Sequence, residues 1–96
     1  MIIVSQDQKT IVNFDNVIYA NIRKLPPNEI GYAISMYTFE SNFERFALYD
    51  TEERAKEVLQ EIIKAIIETR KSQELNNLFG GPGIIPSNTY YEMPEK

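Results

Sequence analysis

Apolar and polar positions alternate along the first half of the chain and then switch to a helical spacing. Residues 1–5 form a short apolar run, and Gln6-Asp7-Gln8-Lys9 is a polar turn. Residues 10–14 (TIVNF) are β-branched and aromatic, a composition that suits a pleated, half-buried surface. Asp15-Asn16 follows as a turn dipeptide, because both side chains bond back to local backbone. Residues 17–25 alternate with Ile18, Ala20 and Ile22 on one face and Tyr19, Asn21 and Arg23 on the other. Pro26-Pro27-Asn28-Glu29 breaks that strand. Residues 30–39 alternate again, Tyr32, Ile34 and Met36 opposite Ala33, Ser35 and Tyr37. Glu40-Ser41-Asn42 turns the chain into residues 43–49, where Phe46 and Leu48 share one face and Arg45 and Ala47 the other. Five short strands joined by short polar turns predict an antiparallel five-stranded meander sheet.

The helical segment carries its own start signal. Asp50 is a good N-cap and Glu53, three residues later, completes a capping-box pattern. Glu52 and Glu53 fall in the first turn, where the helix dipole favours negative charge. Ala55, Val58, Leu59, Ile62 and Ile66 make one stripe at helical spacing, which Ile63 and Ile67 widen. That stripe is read as core or as a helix–helix seam between subunits. The pattern runs to about Lys71, or at most Leu75, and Asn76-Asn77 can end it. A one-sided helix after an antiparallel sheet implies an α+β sandwich of two layers. The other sheet face, with Tyr19, Asn21, Arg23, Ser35 and Tyr37, is then either covered by the C-terminal segment or used as an interface.

Residues 78–96 change the picture of a simple two-layer domain. They hold three of the four glycines and three of the five prolines, together with Phe79, Ile84, Ile85, Tyr90, Tyr91 and Met93. Disordered tails are usually poor in such aromatic and branched apolar residues. The segment is therefore expected to be an ordered aromatic arm, residues 79–96, packing on the domain formed by residues 1–78 or on a second subunit.

Composition narrows the chemistry. The 96 residues suit one domain, and the chain has no Cys and no His. Thiolate chemistry, Cys-based metal sites and histidine acid–base catalysis are thereby excluded. The expectation is a non-enzymatic protein with no cofactor, no metal and no catalytic residues. A net charge of −4 with scattered Lys and Arg argues against duplex nucleic acid as a partner. No apolar run approaches the length of a membrane span, and the start lacks the basic region of a signal peptide, so a cytoplasmic location without membrane contact is expected.

Candidate binding chemistry gathers at three places. Phe79-Gly80-Gly81-Pro82-Gly83 can aim backbone N–H groups at an anion, with Phe79 offering a ring for stacking. The loop follows a helix rather than preceding one, at the unfavourable end of the dipole, and a plain helix stop is the competing reading. Asn88 and Thr89, beside Tyr90 and Tyr91, can read a base edge or a ribose. Their competing reading is an arm packed on the sheet. Arg23 and Arg45 fall on strands and could share the open face as a small phosphate site, the alternative being ordinary surface ion pairs with the excess acids.

The strings MIIVSQD, TIVNFDN, TEERAKEVLQEI and YYEMPEK together resemble a family of small phage and prophage proteins of low-GC Gram-positive bacteria. In layout the chain is also similar to the sponge-type Thoeris anti-defence proteins, in which a sheet, a helix and C-terminal loops assemble into oligomers that trap cyclic nucleotide signals. The resemblance implies a homo-oligomeric, non-enzymatic anti-defence protein that sequesters a small nucleotide. Side-chain chemistry alone, and no aligned motif, suggests Phe79, Asn88 and Thr89 for the base and ribose and Arg23 and Arg45 for phosphate, with Gly80 and Gly81 in the loop. Two alternatives stand beside it. One is an acidic, anti-CRISPR-like inhibitor that binds a host defence protein. The other is a structural homo-oligomerisation module.

Overall fold

A computed structural model describes residues 1–79 and 90–96, with side chains for 1–71 and 90–96. The chain is α+β. Its elements are β1 (Ile2–Val4), β2 (Ile11–Asn13), a 3-10 turn (Phe14–Asn16), β3 (Val17–Lys24), β4 (Tyr32–Thr38), β5 (Asn42–Tyr49), α1 (Glu52–Phe79) and β6 (Tyr90–Glu92). The five expected strands form within two residues of their expected limits.

They do not form one sheet. β3, β4 and β5 make an antiparallel three-stranded sheet, while β1 pairs with β2 on one side and, in parallel, with β6 on the other. The five-stranded meander is therefore corrected to two sheets of three strands, and the sixth strand comes from the C-terminal segment. The 3-10 turn diverts the chain between β2 and β3, so these two consecutive strands never pair. Alternation within a strand reports which residues share a face. It carries no information about which strand lies alongside.

Both sheets share one core. Ile3 and Val12 from the first sheet pack with Ile34, Met36, Phe46, Ala47 and Tyr49 from the second, with Ala55, Val58 and Ile62 of α1, and with Met93 just past β6. The expected faces of β3 and β4 are found: Ile34 and Met36 are buried under the helix, and Ala20 and Ile22 pack at the margin of the core. In β5 the expectation fails. The β4–β5 register shifts between Ile34 and Met36, which pair with Ala47 and Phe43. Phe43 and Ala47 lie on the core face opposite Met36 and Ile34, Phe46 within the irregular stretch is buried as well, and Leu48, opposite Ala33, is left 38% exposed. The two extra residues are accommodated as a bulge opposite Ser35.

The helix start also differs from expectation. The Thr51 hydroxyl, not the Asp50 carboxylate, accepts from Arg54 N–H at 3.1 Å, and Thr51 O accepts from Ala55 N–H. Thr51 thus performs the capping. At the other end α1 runs through Asn76-Asn77 to Phe79, beyond the expected stop. Its 28 residues span about 42 Å, longer than any strand beneath it.

Gln6 holds the two sheets together. Leaving β1, its backbone N–H donates to Phe46 O at 3.2 Å. Its side-chain amide donates to Leu48 O at 2.8 Å and accepts from Leu48 N–H at 2.8 Å. The same amide nitrogen lies 3.2 and 2.9 Å from the Pro94 and Glu95 carbonyls. One side chain thus does for the edge of β5 what a neighbouring strand would do.

Candidate functional site

The open face of the β3–β4–β5 sheet carries an aromatic and guanidinium corner. Tyr19 on β3 and Tyr37 on β4 are directly paired in register. Their rings stack with centroids 4.4 Å apart and planes 20° from parallel. Tyr19 is 54% exposed, so part of its surface is free. Two residues along each strand on the same face sit Asn21 and Ser35, and then Arg23 and Ala33.

Arg23 is anchored rather than loose. Its Nε donates to Ser35 Oγ at 3.2 Å, and the fully buried Ser35 hydroxyl donates to Glu44 O at 2.6 Å. One terminal nitrogen stands 3.9 Å from the exposed Glu44 carboxylate, a long and water-accessible pair of small energetic value. A guanidinium fixed at Nε still presents its outer N–H groups, the edge that suits a phosphate.

Arg45 is differently placed. Glu29, in the β3–β4 loop, reaches across β4 to hold it at 2.7 Å. Binding an anion at Arg45 therefore requires this ion pair to open. The surface ion-pair reading offered for the arginines describes Arg45 directly. Phe79 is the last residue of α1, and its side chain, together with Gly80, Gly81, Asn88 and Thr89, lies outside the described residues. Of the seven suggested contacts, only Arg23 is placed by the described structure on the same sheet face as the exposed Tyr19, four residues along β3.

A second cluster seats the C-terminus. Tyr91 of β6 donates its hydroxyl to Glu61 of α1 at 2.7 Å, and Tyr49 donates to Pro94 O at 2.8 Å. Arg54 donates from Nε to Lys96 O at 3.0 Å, pairs with Glu57 and Glu61, and lies 5.9 Å over the Tyr49 ring. Residues 91–96 thus bind to the flank of the helix. Neither Gln6 nor the Tyr49–Arg54–Tyr91 cluster was visible in the sequence, since none of these residues lies at a local spacing that reports contact.

Burial pushes the Tyr49 phenol up to about 12, with Arg54 opposing and Glu61 adding to the shift. Burial, and then the hydrogen bond to Glu61, raises Tyr91 as well. The folded state thus keeps protons that the unfolded chain gives up near the ordinary phenol value of 10. These phenols leave stability unchanged below about pH 10 and remove it as pH rises through about 12. A urea-unfolding series from pH 9 to 12, read with tyrosine absorbance at 295 nm, should show this decline. Replacing both Tyr49 and Tyr91 by Phe should flatten it. Simultaneous titration of all six tyrosines near pH 10 would be the contrary result.

Two of the clefts elsewhere on the described residues border the strands of both sheets or the helix. One, of about 310 Å³, runs between Ile11–Asn13 of β2 and the β4–β5 turn at Phe39. The other, of about 300 Å³, lies between Met1, Phe14 and Val17 and the helix at Ile66 and Arg70. Neither gathers more than one cation. Among the described residues no helix is long and apolar enough to cross a membrane. No protein-family model, no curated protein and no solved structure matches the chain.

Proposed function

We propose that this chain is a non-enzymatic binding protein of phage anti-defence type that sequesters a small nucleotide signal. The observation that carries the reading is the Tyr19–Tyr37 stack with Arg23 anchored four residues along β3 on the same sheet face. A half-exposed tyrosine ring offers a platform for a base. An anchored guanidinium offers two parallel N–H groups to a phosphate. The loop residues Phe79, Gly80, Gly81, Asn88 and Thr89 would complete the pocket from the segment that precedes β6, with Arg45 contributing only after releasing Glu29.

The acidic-inhibitor alternative draws less support from the geometry. The helix surface is a mosaic in which Lys56 pairs with Glu52 and Arg54 pairs with Glu57 and Glu61. A mimic of nucleic-acid charge needs a continuous acidic band, and these cations interrupt it.

Calorimetric titration with a panel of mononucleotides, cyclic mononucleotides and cyclic dinucleotides tests the proposal. One class should bind, and Tyr19→Ala or Arg23→Ala should each weaken it by roughly tenfold or more, the scale of one lost stacking or charge-assisted contact. Phe79→Ala and Asn88→Ala should weaken it without unfolding the protein. If the panel gives no heat, or the Tyr19 and Arg23 variants bind like the parent, the site is not there.

A further inference from the structure

Residues 90–96 are held in the way a protein holds an extended peptide. β6 adds in parallel to the edge of β1, with Tyr90 beside Ile2 and Glu92 beside Val4. Met93 N–H then donates to Val4 O at 3.0 Å. Side chains take over where the ladder ends. Tyr49 donates its hydroxyl to Pro94 O at 2.8 Å, the Gln6 amide nitrogen stands 2.9 Å from Glu95 O, and Arg54 Nε donates to Lys96 O at 3.0 Å. Successive carbonyls are thus met by donors from the end of β1, the end of β5 and the first turn of α1. These donors read backbone and take no account of the side chains at 94–96. Side-chain recognition falls to alternate positions of the strand. Tyr91 reaches Glu61 with its hydroxyl at 2.7 Å, and Met93 is 4% exposed within the core. Tyr90 and Glu92 face outward.

The walls of this seat are fixed without their occupant. β1 is held from its other side by β2. Leu48 fixes the Gln6 amide in both directions, accepting at its O and donating from its N–H, each at 2.8 Å. Glu57 holds Arg54 at 3.1 Å, and the guanidinium lies over the ring of the buried Tyr49. None of these contacts involves residues 90–96. A seat fixed in advance loses little freedom when a segment docks in it.

The occupant is held less firmly than the walls. Its ladder is three residues long, and within residues 90–96 only Met93 is buried. Segments with so few buried apolar contacts open at a lower free energy than the core.

We propose that β1, Gln6, Tyr49, Arg54 and Glu61 form a docking groove for an extended segment of another protein, and that residues 90–96 fill it in that partner's absence. The mode is strand addition to a sheet edge. The contacts define the partner segment: a tyrosine in the place of Tyr91, an unbranched apolar residue two positions on, and carbonyls free to accept in the three residues after it. A second copy is the poorer occupant, because exchange between copies replaces each contact by its equal. A foreign segment gains by whatever it touches beyond the groove. The proposal does not rest on the nucleotide reading, and the groove includes neither Tyr19 nor Arg23, so the failure of one leaves the other standing.

A fluorescein-labelled peptide with the sequence of residues 90–96 (YYEMPEK), titrated with the full chain and read by polarisation, tests it. The resident segment competes at an effective concentration on the order of 1 mM, so the parent should bind the peptide weakly. Met93→Asp in the chain loosens the resident segment and changes none of the wall residues. It should bind the peptide at least about tenfold more tightly than the parent. A peptide that itself carries Met93→Asp should bind neither chain. Where the Met93→Asp chain does not fold, Tyr91→Ala, at a half-buried position, takes its place. Amide exchange of the parent gives a readout without any variant: the Met93 amide should exchange at least about a hundredfold faster than the paired amides of β4. A folded variant that ignores the peptide at about 1 mM overturns the proposal. So does equal binding by parent and variant, or a Met93 amide as protected as those of β4.

Discussion

Replacing Ile34 by alanine should lower the unfolding free energy by about 2–5 kcal/mol, the range for a fully buried aliphatic residue. Ile34 is 0% exposed. It sits on the central strand of its sheet, between Ile22 on β3 and Ala47 on β5, and in the one cluster that joins both sheets to the helix. Neighbours on three elements cannot collapse together into the space, so the cavity term stays close to its full size. For a domain of this length the melting temperature should fall by on the order of 10–30 °C. Ile30→Ala provides the control. Ile30 is 91% exposed, and its truncation should change stability by less than about 0.5 kcal/mol. Thermal melts followed by circular dichroism would measure both. Equal effects at the two positions would mean that the helix does not sit over β4 as described.

The second large effect is expected at Gly31. Its φ is +117°, a backbone conformation that side-chain-bearing residues rarely adopt, and forcing one there costs about 1–3 kcal/mol. Space adds to this. A Cβ at Gly31 would lie 2.6 Å from Tyr49 O and 3.7 Å from Asp50 Cα. Both are backbone atoms at the junction of β5 and α1, so neither can swing aside. Gly31 O also accepts the Leu25 N–H that closes the β3–β4 loop. Gly31→Ala should therefore loosen the loop and the helix start together. Urea denaturation should show a lower midpoint, and amide exchange should quicken at Leu25 and in the first turn of α1. A midpoint unchanged from the parent would require Gly31 to take a negative φ in solution.

These two residues illustrate how far the sequence could be read. Ile30 and Ile34 occupy the same alternating run, and only the strand boundary at Tyr32 separates the exposed one from the buried one. Gly31 lies inside the run expected to be strand, where nothing local marks the close approach of Tyr49. In the candidate site, Tyr19, Tyr37 and Arg23 were placed on one face by alternation alone, and the register confirms that placement. That Arg23 is anchored by Ser35, and Arg45 taken up by Glu29, depends on the bulge in β5 and on where the β3–β4 loop holds Glu29. Alternation has no access to either.

By itself the sequence determined the local order of the chain: five strands within two residues of their limits, a helix with an acidic first turn, the core faces of β3 and β4, and the mixed α+β class. Each follows from a period of two or 3.6 residues, from turn chemistry, or from the side chain's preference for a pleated or helical surface, all of which act over a few residues. Only the tertiary structure decided that the β1–β2 hairpin leaves the meander and takes β6 as its third strand, that Ala47 rather than Leu48 faces the core in β5, and that Gln6 bonds to the edge of β5. Strand pairing depends on contacts between residues as far apart as Ile2 and Tyr90. Its free energy comes from burying one shared core, so no short stretch of sequence carries the choice.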